Sequence, residues 1–419
     1  MIPRKRIDIG WADLAGGMLA CAMPGNVVQA SASVESAWHT VRANLACLSV
    51  RSGFDALLGV LQLPAGSEVL VSAVTIRDMT RIIEAHGLVA VPVDIDFQSL
   101  AVTRASLERA RSPHTRAVLI AHLYGIRMPM RDIVDFCNKN KYLLIEDGAQ
   151  AYTGDGWRGD VASDVCLFSF GPIKTATALG GAVLTFRDTA LRDRVRDHMA
   201  AWPLQRRAAY FARLLKYAVF VLLGYRLCYT LFVSALKLCG IDHDRVLAAS
   251  VRGFGGGELL KKIRRRPSLP LLRLLRRRIT QGSQSSVTRR CARAQRLIEL
   301  LSAVERPGAM AAWHSHWVFP VVHPRADALI AHLRARGFDA TRGVSSMAVV
   351  AAPGGSRAIL AASAAENTAA NAFAAQCYLP AHDGMHARDI ERLAAAVAEF
   401  ESSVRNAVTP LPVSNPDQA

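Results

Sequence analysis

The sequence predicts an α/β protein in three parts: a large domain around a mostly parallel central sheet, a small α+β domain at the carboxyl end, and an inserted apolar and basic helical segment. Three observations carry this reading. Apolar runs alternate with amphipathic stretches from Val69 to Phe170, a shorter alternation begins at Trp313, and the residues between are first nearly continuously apolar and then rich in arginine. The expected boundaries are 1–204 for the large domain, 205–298 for the insert, 299–406 for the small domain and 407–419 for a disordered tail with little to bury. At 419 residues the chain is long enough for both domains to have full cores.

In the large domain VLVSAVT reads as a strand, followed by a helix through Ile83, a strand in VAVPVDI and a helix around Leu107. RAVLIAHLY is the next strand, Arg131 to Lys139 a helix, and YLLIEDG another strand. Continuous Val, Ile and Leu runs separated by helices indicate parallel strands covered on both faces. Ligands of such sheets gather at the carboxyl ends of the strands, where Asp147 and His122 fall. The small domain is expected from HWVFPVV, a helix at Ala326 to Arg336, and CYLPAHDGMHARDIERLAAAVAEF.

Two strand-like segments, LLIEDGAQ and DVCLFSFGPIKTATALGGA, lie between Leu143 and Ala182. Taken singly, their polar residues are ordinary. A chain with 51 lysines and arginines has many solvated charges, and an acid at a strand end is commonly a cap or turn former. Together, a strand ending in Asp147 and a second leading through Ser169 to Lys174 supply what a pyridoxal phosphate site requires. The amine can hold the aldehyde as a Schiff base, and the acid can keep the pyridine nitrogen protonated. The chemistry implied is that of amino groups.

The order of short motifs resembles the sugar aminotransferases of the DegT/DnrJ/EryC1/StrS family, a branch of the fold type I pyridoxal phosphate enzymes. From Arg51 to Phe186 the landmarks are SGFDAL at Ser52 to Leu57, VDID at Val93 to Asp96, HLYG at His122 to Gly125, EDGAQ at Glu146 to Gln150 and FSFGPIK at Phe168 to Lys174. From Trp313 to Phe400, the stretch Cys377 to Val397 is similar to the family's closing strand and helix. The resemblance implies that Lys174 anchors the cofactor and then moves the proton as general base, and that Asp147 partners the pyridine nitrogen. It also implies that Gln150 contacts the ring-hydroxyl side and Ser169 the phosphate. Gly53, Phe54 and Asp55, in SGFDAL, match a phosphate turn at a helix start, where backbone N–H groups and the helix dipole favour an anion. Because the family's sugar dehydratases carry histidine at the lysine position, Lys174 favours transamination. A homodimer, an amino donor expected to be glutamate, and a keto-sugar or lipid-linked acceptor follow from the same resemblance.

Three positions depart from the family pattern. Phe54 stands where a threonine or serine is usual, removing a hydroxyl from the phosphate turn. Ile76 takes the place of an aromatic that stacks on the cofactor ring, and the glycine pair of ALGGA arrives one residue early and without the usual acid. A divergent branch with a rebuilt cofactor grip is expected.

The middle departs most. Tyr217 to Cys239 is about as long as the ~20 residues that span a bilayer, but Arg226 interrupts it, and a central arginine costs about 2.5–3.5 kcal/mol. Two short helices, a re-entrant hairpin or an interfacial helix are therefore expected, with Arg226 and Lys237 reaching toward headgroups. From Lys261 to Arg296 basic residues follow one another without an acid, and LPLLRLLRRRI interleaves them with leucines. This pattern is read first as a basic element at an anionic membrane surface; the alternative is a solvated helix whose leucines pack on the large domain. RRRPS aligns Arg264 with the family's asparagine that reaches the partner subunit's phosphate.

Composition sets the remaining bounds. The chain is 51% hydrophobic, 20% charged and carries a formal net charge of +17, which invites an anionic partner; no aromatic interleaving or nucleic-acid motif accompanies the charge, so no nucleic acid is expected. Eight scattered cysteines, without CxxC pairs or zinc spacing, indicate a reducing compartment and no metal. The amino terminus lacks an uninterrupted apolar core and reads as mature protein. The expectation is a pyridoxal phosphate-dependent aminotransferase at the cytoplasmic face of a membrane. The alternatives are a soluble nucleotide-sugar aminotransferase, with the basic segment on the substrate diphosphate, or an inactive pyridoxal-binding membrane scaffold.

Overall fold

The computed structural model describes residues 1–251, 258–301, 304–343, 347–351 and 372–408. The tail expected at 407–419 falls, from 409 on, outside the described residues. Helices α1 (Trp11–Ala22) and α2 (Val27–Ala37) precede strand β1 (Ala43–Cys47) and α3 (Val50–Leu61). The alternating region follows as β2 (Glu68–Ser72), β3 (Val74–Ile76), α4 (Arg77–Ala85), β4 (Val89–Val93), α5 (Arg104–Ala110), β5 (Thr115–Ala121), α6 (Arg131–Asn140), β6 (Leu143–Asp147), β7 (Val165–Ser169) and β8 (Ala182–Phe186).

Seven strands form one sheet in the order β1-β8-β7-β6-β5-β2-β4. From β4 to β7 the neighbours run parallel, whereas β8 is antiparallel to both β7 and β1. The cause is the apolar continuity noted above: Val118, Ile120 and Leu144 pack toward one face, and Leu119, Ile145 and Leu167 toward the other. Both faces must be covered, and helices supply the cover. All five parallel strands point their carboxyl ends to one side, which collects Asp147 and Ser169.

After β8 come α7 (Thr189–Ala200), α8 (Arg207–Leu222), α9 (Arg226–Leu238), α10 (His243–Val251), α11 (Leu259–Ile263), α12 (Leu269–Gln281) and α13 (Gln284–Leu300). The segment expected as one insert is divided between the domains. The leucine-laced basic run is α12, a core helix started by Pro270 in its first turn, with Leu271, Leu272, Leu274 and Leu275 buried against α1 and α2. Two of its charges are answered from within: Arg277 Nε lies 2.8 Å from Asp13 Oδ1, and Arg278 Nη1 2.7 Å from Asp13 Oδ2. The packed-leucine alternative, not the membrane-surface one, describes this run.

The apolar stretch before it is a pair of helices. No single helix among the described residues is long and apolar enough to cross a membrane; α8 and α9 pass together, bent by 99°. On α8, Tyr210, Leu214 and Tyr217 face the core, while Phe211, Leu215, Val219 and Leu222 are exposed. On α9 only Tyr229 is buried, and Leu227 and Leu231 are 71% and 63% exposed.

The small domain contains β9 (Phe319–Val322), α14 (Ala326–Ala335), β11 (Gln376–Leu379) and α15 (Ala387–Val408), with α13 packed on α15. β10 (Met347–Val349) leaves it to pair antiparallel with β3. The first residues join it as well, since Ile2 bridges to Phe338 and packs in its core. Buried Asp339 ties three parts together: Arg4 Nε lies 2.6 Å away, His243 Nε2 3.0 Å, and the Tyr229 hydroxyl donates to the same carboxylate. Burial opposes that charge, but His243, Arg4 and Tyr229 together hold the Asp339 carboxyl well below the usual range.

Candidate active site

The strand ends place two ionisable groups in one buried setting. Asp147, the last residue of β6, is 5% exposed, and its Oδ1 accepts the Ala149 N–H at 2.9 Å. Burial raises its carboxyl above the ordinary range, opposed by that N–H and by the positive fields of Lys174 and Arg51. Lys174 sits beyond β7 in a tight loop, its N–H donating to Gly171 O at 3.0 Å. It is 9% exposed, and burial depresses its amine to about 7, with Asp147 opposing the drop and Arg51 adding to it. A lysine near neutrality is a nucleophile and a base at ordinary pH.

The loop is held at both ends. Thr177 Oγ1 donates to the carbonyls of Phe170 and Gly171, at 3.0 and 2.7 Å. Gly181, with φ of 86°, donates its N–H to Leu48 O at 2.8 Å, and a Cβ there would meet Leu275 of α12 at 3.0 Å. The acid missing from the loop is supplied from the chain start: Asp8 Oδ2 accepts the Ala176 N–H at 2.7 Å. Ser169 shares the loop with the lysine. A Cβ on Gly171 would lie 3.5 Å from Ser169 Oγ and 4.0 Å from Lys174 Cγ.

Gln150 follows Asp147 by three residues; its side-chain carbonyl accepts the Tyr124 N–H at 2.9 Å, and its amide lies 3.3 Å from Met347 Sδ. Its neighbour His122 faces elsewhere. Nδ1 accepts the Met128 N–H at 3.1 Å, so Nε2 carries the proton and donates to Glu146 at 2.8 Å, a buried structural pair.

The turn expected at SGFDAL is displaced. Helix α3 already begins at Val50, capped by Ser49, whose Oγ accepts the Ser52 N–H at 3.2 Å. The helix-start N–H groups are therefore those of Val50 and Arg51, that of Ser52 being taken by Ser49. Gly53 is packed where a Cβ would strike Leu184 at 2.5 Å, and Phe54 is fully buried in the core. Asp55 is turned to the flank, with His86 at 2.9 Å and Arg264 at 2.8 and 3.0 Å. Arg264 is thus engaged within its own chain. Ile76 caps the start of α4, half-buried against the core, its backbone paired to Met347.

The structure brings Lys174, Asp147, Ser169 and Gln150 to one end of the sheet and leaves Phe54 and Asp55 apart from them. Residues absent from the sequence expectation also arrive: Arg51, paired to Asp78 at 2.6 Å, and Trp317, whose ring lies 4.1 Å from Lys174 Nζ. Arg51 could have been found from its place directly before SGFDAL; Trp317 had no local signal.

Residues 22–217 match the sequence pattern of the DegT/DnrJ/EryC1/StrS aminotransferase family. Over 160 residues the chain is 36% identical to the erythromycin biosynthesis sensory transduction protein EryC1 of Saccharopolyspora erythraea, covering 36% of this chain and 43% of that one. Over 151 residues it is 34% identical to the UDP-N-acetyl-3-dehydro-alpha-D-glucosamine 3-aminotransferase of Acidithiobacillus ferrooxidans, covering 35% and 41%. The match thus spans less than half the length of these relatives. Among solved structures, Helicobacter pylori PseC, an aminotransferase of pseudoaminic acid biosynthesis, superposes with a TM-score of 0.68 at 15% identity, over 96% of this chain and 99% of that one. DesV of S. venezuelae gives 0.64 at 21% identity, over 95% and 98%. At these identities the likeness establishes the fold.

Proposed function

We propose that the chain, whose residues 22–217 match the DegT/DnrJ/EryC1/StrS aminotransferase family, is a pyridoxal phosphate-dependent aminotransferase acting on a keto-sugar. The observation that carries the proposal is the shared burial of Lys174 and Asp147 at one end of the sheet, with the amine held near 7. The residues fit the cofactor: Lys174, Asp147, Gln150, Ser169 and the first turn of α3 would hold it. Bound there, it supplies an electron sink for the carbon next to the transferred nitrogen. Lys174 Nζ, near neutrality, takes and returns the proton at that carbon. Asp147, enclosed and fixed by the Ala149 N–H, presents negative charge to a ring nitrogen. Burial of both groups excludes bulk water from the exchange.

The donor in this reading is an amino acid, glutamate by family premise, and the working unit is a homodimer. The test is spectroscopic. Purified protein with pyridoxal phosphate should lose its aldehyde absorbance on adding glutamate and regain it with a keto-sugar nucleotide; no change with any amino acid would sink the proposal.

We further place the enzyme at the cytoplasmic face of an anionic membrane, through α8 and α9. What supports this is the exposed apolar face of the pair, rimmed by exposed Arg206, Arg207, Lys216, Arg226 and Lys237. A lipid-linked acceptor would meet the enzyme there. Full-length protein should sediment with anionic vesicles and less with a Leu227→Ser, Leu231→Ser variant. Unchanged sedimentation, or a shift of that variant from dimer to monomer without vesicles, would instead assign the face to nothing lipidic or to a second copy.

A further inference from the structure

A cavity opens beside Lys174, walled by Lys5, Arg290, Thr175, Trp317, Tyr378 and His382. Lys174 lines it, whereas Asp147, Gln150 and Ser169 do not, so the cavity adjoins the cofactor groups at the lysine alone. Cations crowd it. Lys5 Nζ and Lys174 Nζ lie 4.0 and 4.1 Å from the centre of the Trp317 ring. Arg290, 8% exposed, projects from α13 into the same wall.

Two carboxylates, Asp8 and Asp383, also line it, each with a partner of its own. Asp8 accepts the Ala176 N–H at 2.7 Å, and Asp383 lies 3.5 Å from Arg289. His382 uses both ring nitrogens, accepting the Gly384 N–H at 3.2 Å and donating to Pro3 O at 3.1 Å, which leaves it neutral. Donors, by contrast, are left over. Lys5 makes one bond, to Trp317 O at 3.2 Å, and Arg290 Nε makes one, to Ser315 O at 2.9 Å. Arg290 Nη2 and Thr175 Oγ1 are both buried without a partner.

Buried donors without acceptors are costly, and an oxyanion seated between Arg290 and Thr175 would satisfy them. We infer that this cavity is an oxyanion subsite, in which a phosphoryl or carboxylate group of the substrate docks between Lys5, Arg290 and Thr175. The inference rests on the assignment of Lys174 as the reacting lysine. With the anion seated here, the reacting carbon of the same molecule is delivered to Lys174, and the subsite selects anionic substrates over neutral sugars. The guanidinium offers paired donors to two oxygens, as such groups do for both anion classes.

The experiment is calorimetric titration of the full chain, loaded with pyridoxal phosphate so that the cofactor's own cradle is filled, with inorganic diphosphate in one arm and glutarate in the other. Binding of diphosphate alone assigns a phosphoryl group, binding of glutarate alone a carboxylate, and either supports the subsite. Arg290→Gln should weaken the bound probe by about tenfold or more, and Lys5→Gln likewise, whereas Arg276→Gln on the exposed side of α12 should not. Should Arg290→Gln fail to fold, Lys5→Gln and Arg290→Lys carry the comparison. Absence of binding in both arms, or equal affinity in the folded variants, overturns the subsite. Failure of the parent assignment shows separately, as protein that takes up no cofactor absorbance.

Discussion

Arg278 Nη1 lies 2.7 Å from Asp13 Oδ2, an ion pair joining residues 265 apart in sequence, with both side chains only 8% exposed. The same guanidinium donates to the carbonyls of Asp8, at 2.6 Å, and Thr177, at 3.2 Å. It therefore links α1, the chain start and the loop that carries Lys174. A charge so placed is part of the core and not of a surface patch.

Replacing it should be costly. Arg278→Gln leaves Asp13 short of its buried partner and should lower stability by about 3–5 kcal/mol, whereas Arg276→Gln, exposed two residues earlier, should change it by less than about 0.5 kcal/mol. Urea unfolding of the two variants makes the comparison, and equal small effects would return the basic run to the surface.

The depressed amine of Lys174 sets a pH window. Only the unprotonated amine attacks an aldehyde, so the rate at which cofactor-free protein captures pyridoxal phosphate should rise through about pH 7 and then level. Asp147 raises this amine's affinity for its proton, so Asp147→Asn should move the midpoint to lower pH. Stopped-flow absorbance across pH 5 to 10 reads both; a rate still climbing at pH 9 would indicate an ordinary solvated lysine.

Asp147→Asn should also slow the half-reaction with the amino donor by about a hundredfold or more, because removal of a preorganised charge at a reacting centre has effects of that size. Circular dichroism should show the fold intact. A near-normal rate in that variant would remove Asp147 from the chemistry.

The sequence made the sheet legible because buried parallel strands must be apolar on both faces, and β5 and β6 show this as uninterrupted runs. Asp147 and Lys174 were legible for a different reason: each stands where a strand run stops, in a short motif. The basic run was not. Its meaning depends on Asp8 and Asp13, more than 260 residues away, and a linear reading sees thirteen cations without their partners. The helix start expected at SGFDAL lies earlier for a local reason, since Ser49 caps α3 before it, which leaves Phe54 in the core and Asp55 at the flank. Lys5, in a terminus read only as charged, gained its place from Trp317 and Arg290, which no local pattern connects to it.

The central claim is that Lys174 is the residue that carries the cofactor, and covalent trapping tests it most directly. Protein incubated with pyridoxal phosphate and reduced with borohydride should carry one label, on the peptide containing Lys174, and Lys174→Ala should carry none there. A label on Lys5, its neighbour across Trp317, or an unchanged aldehyde spectrum in Lys174→Ala would contradict the account.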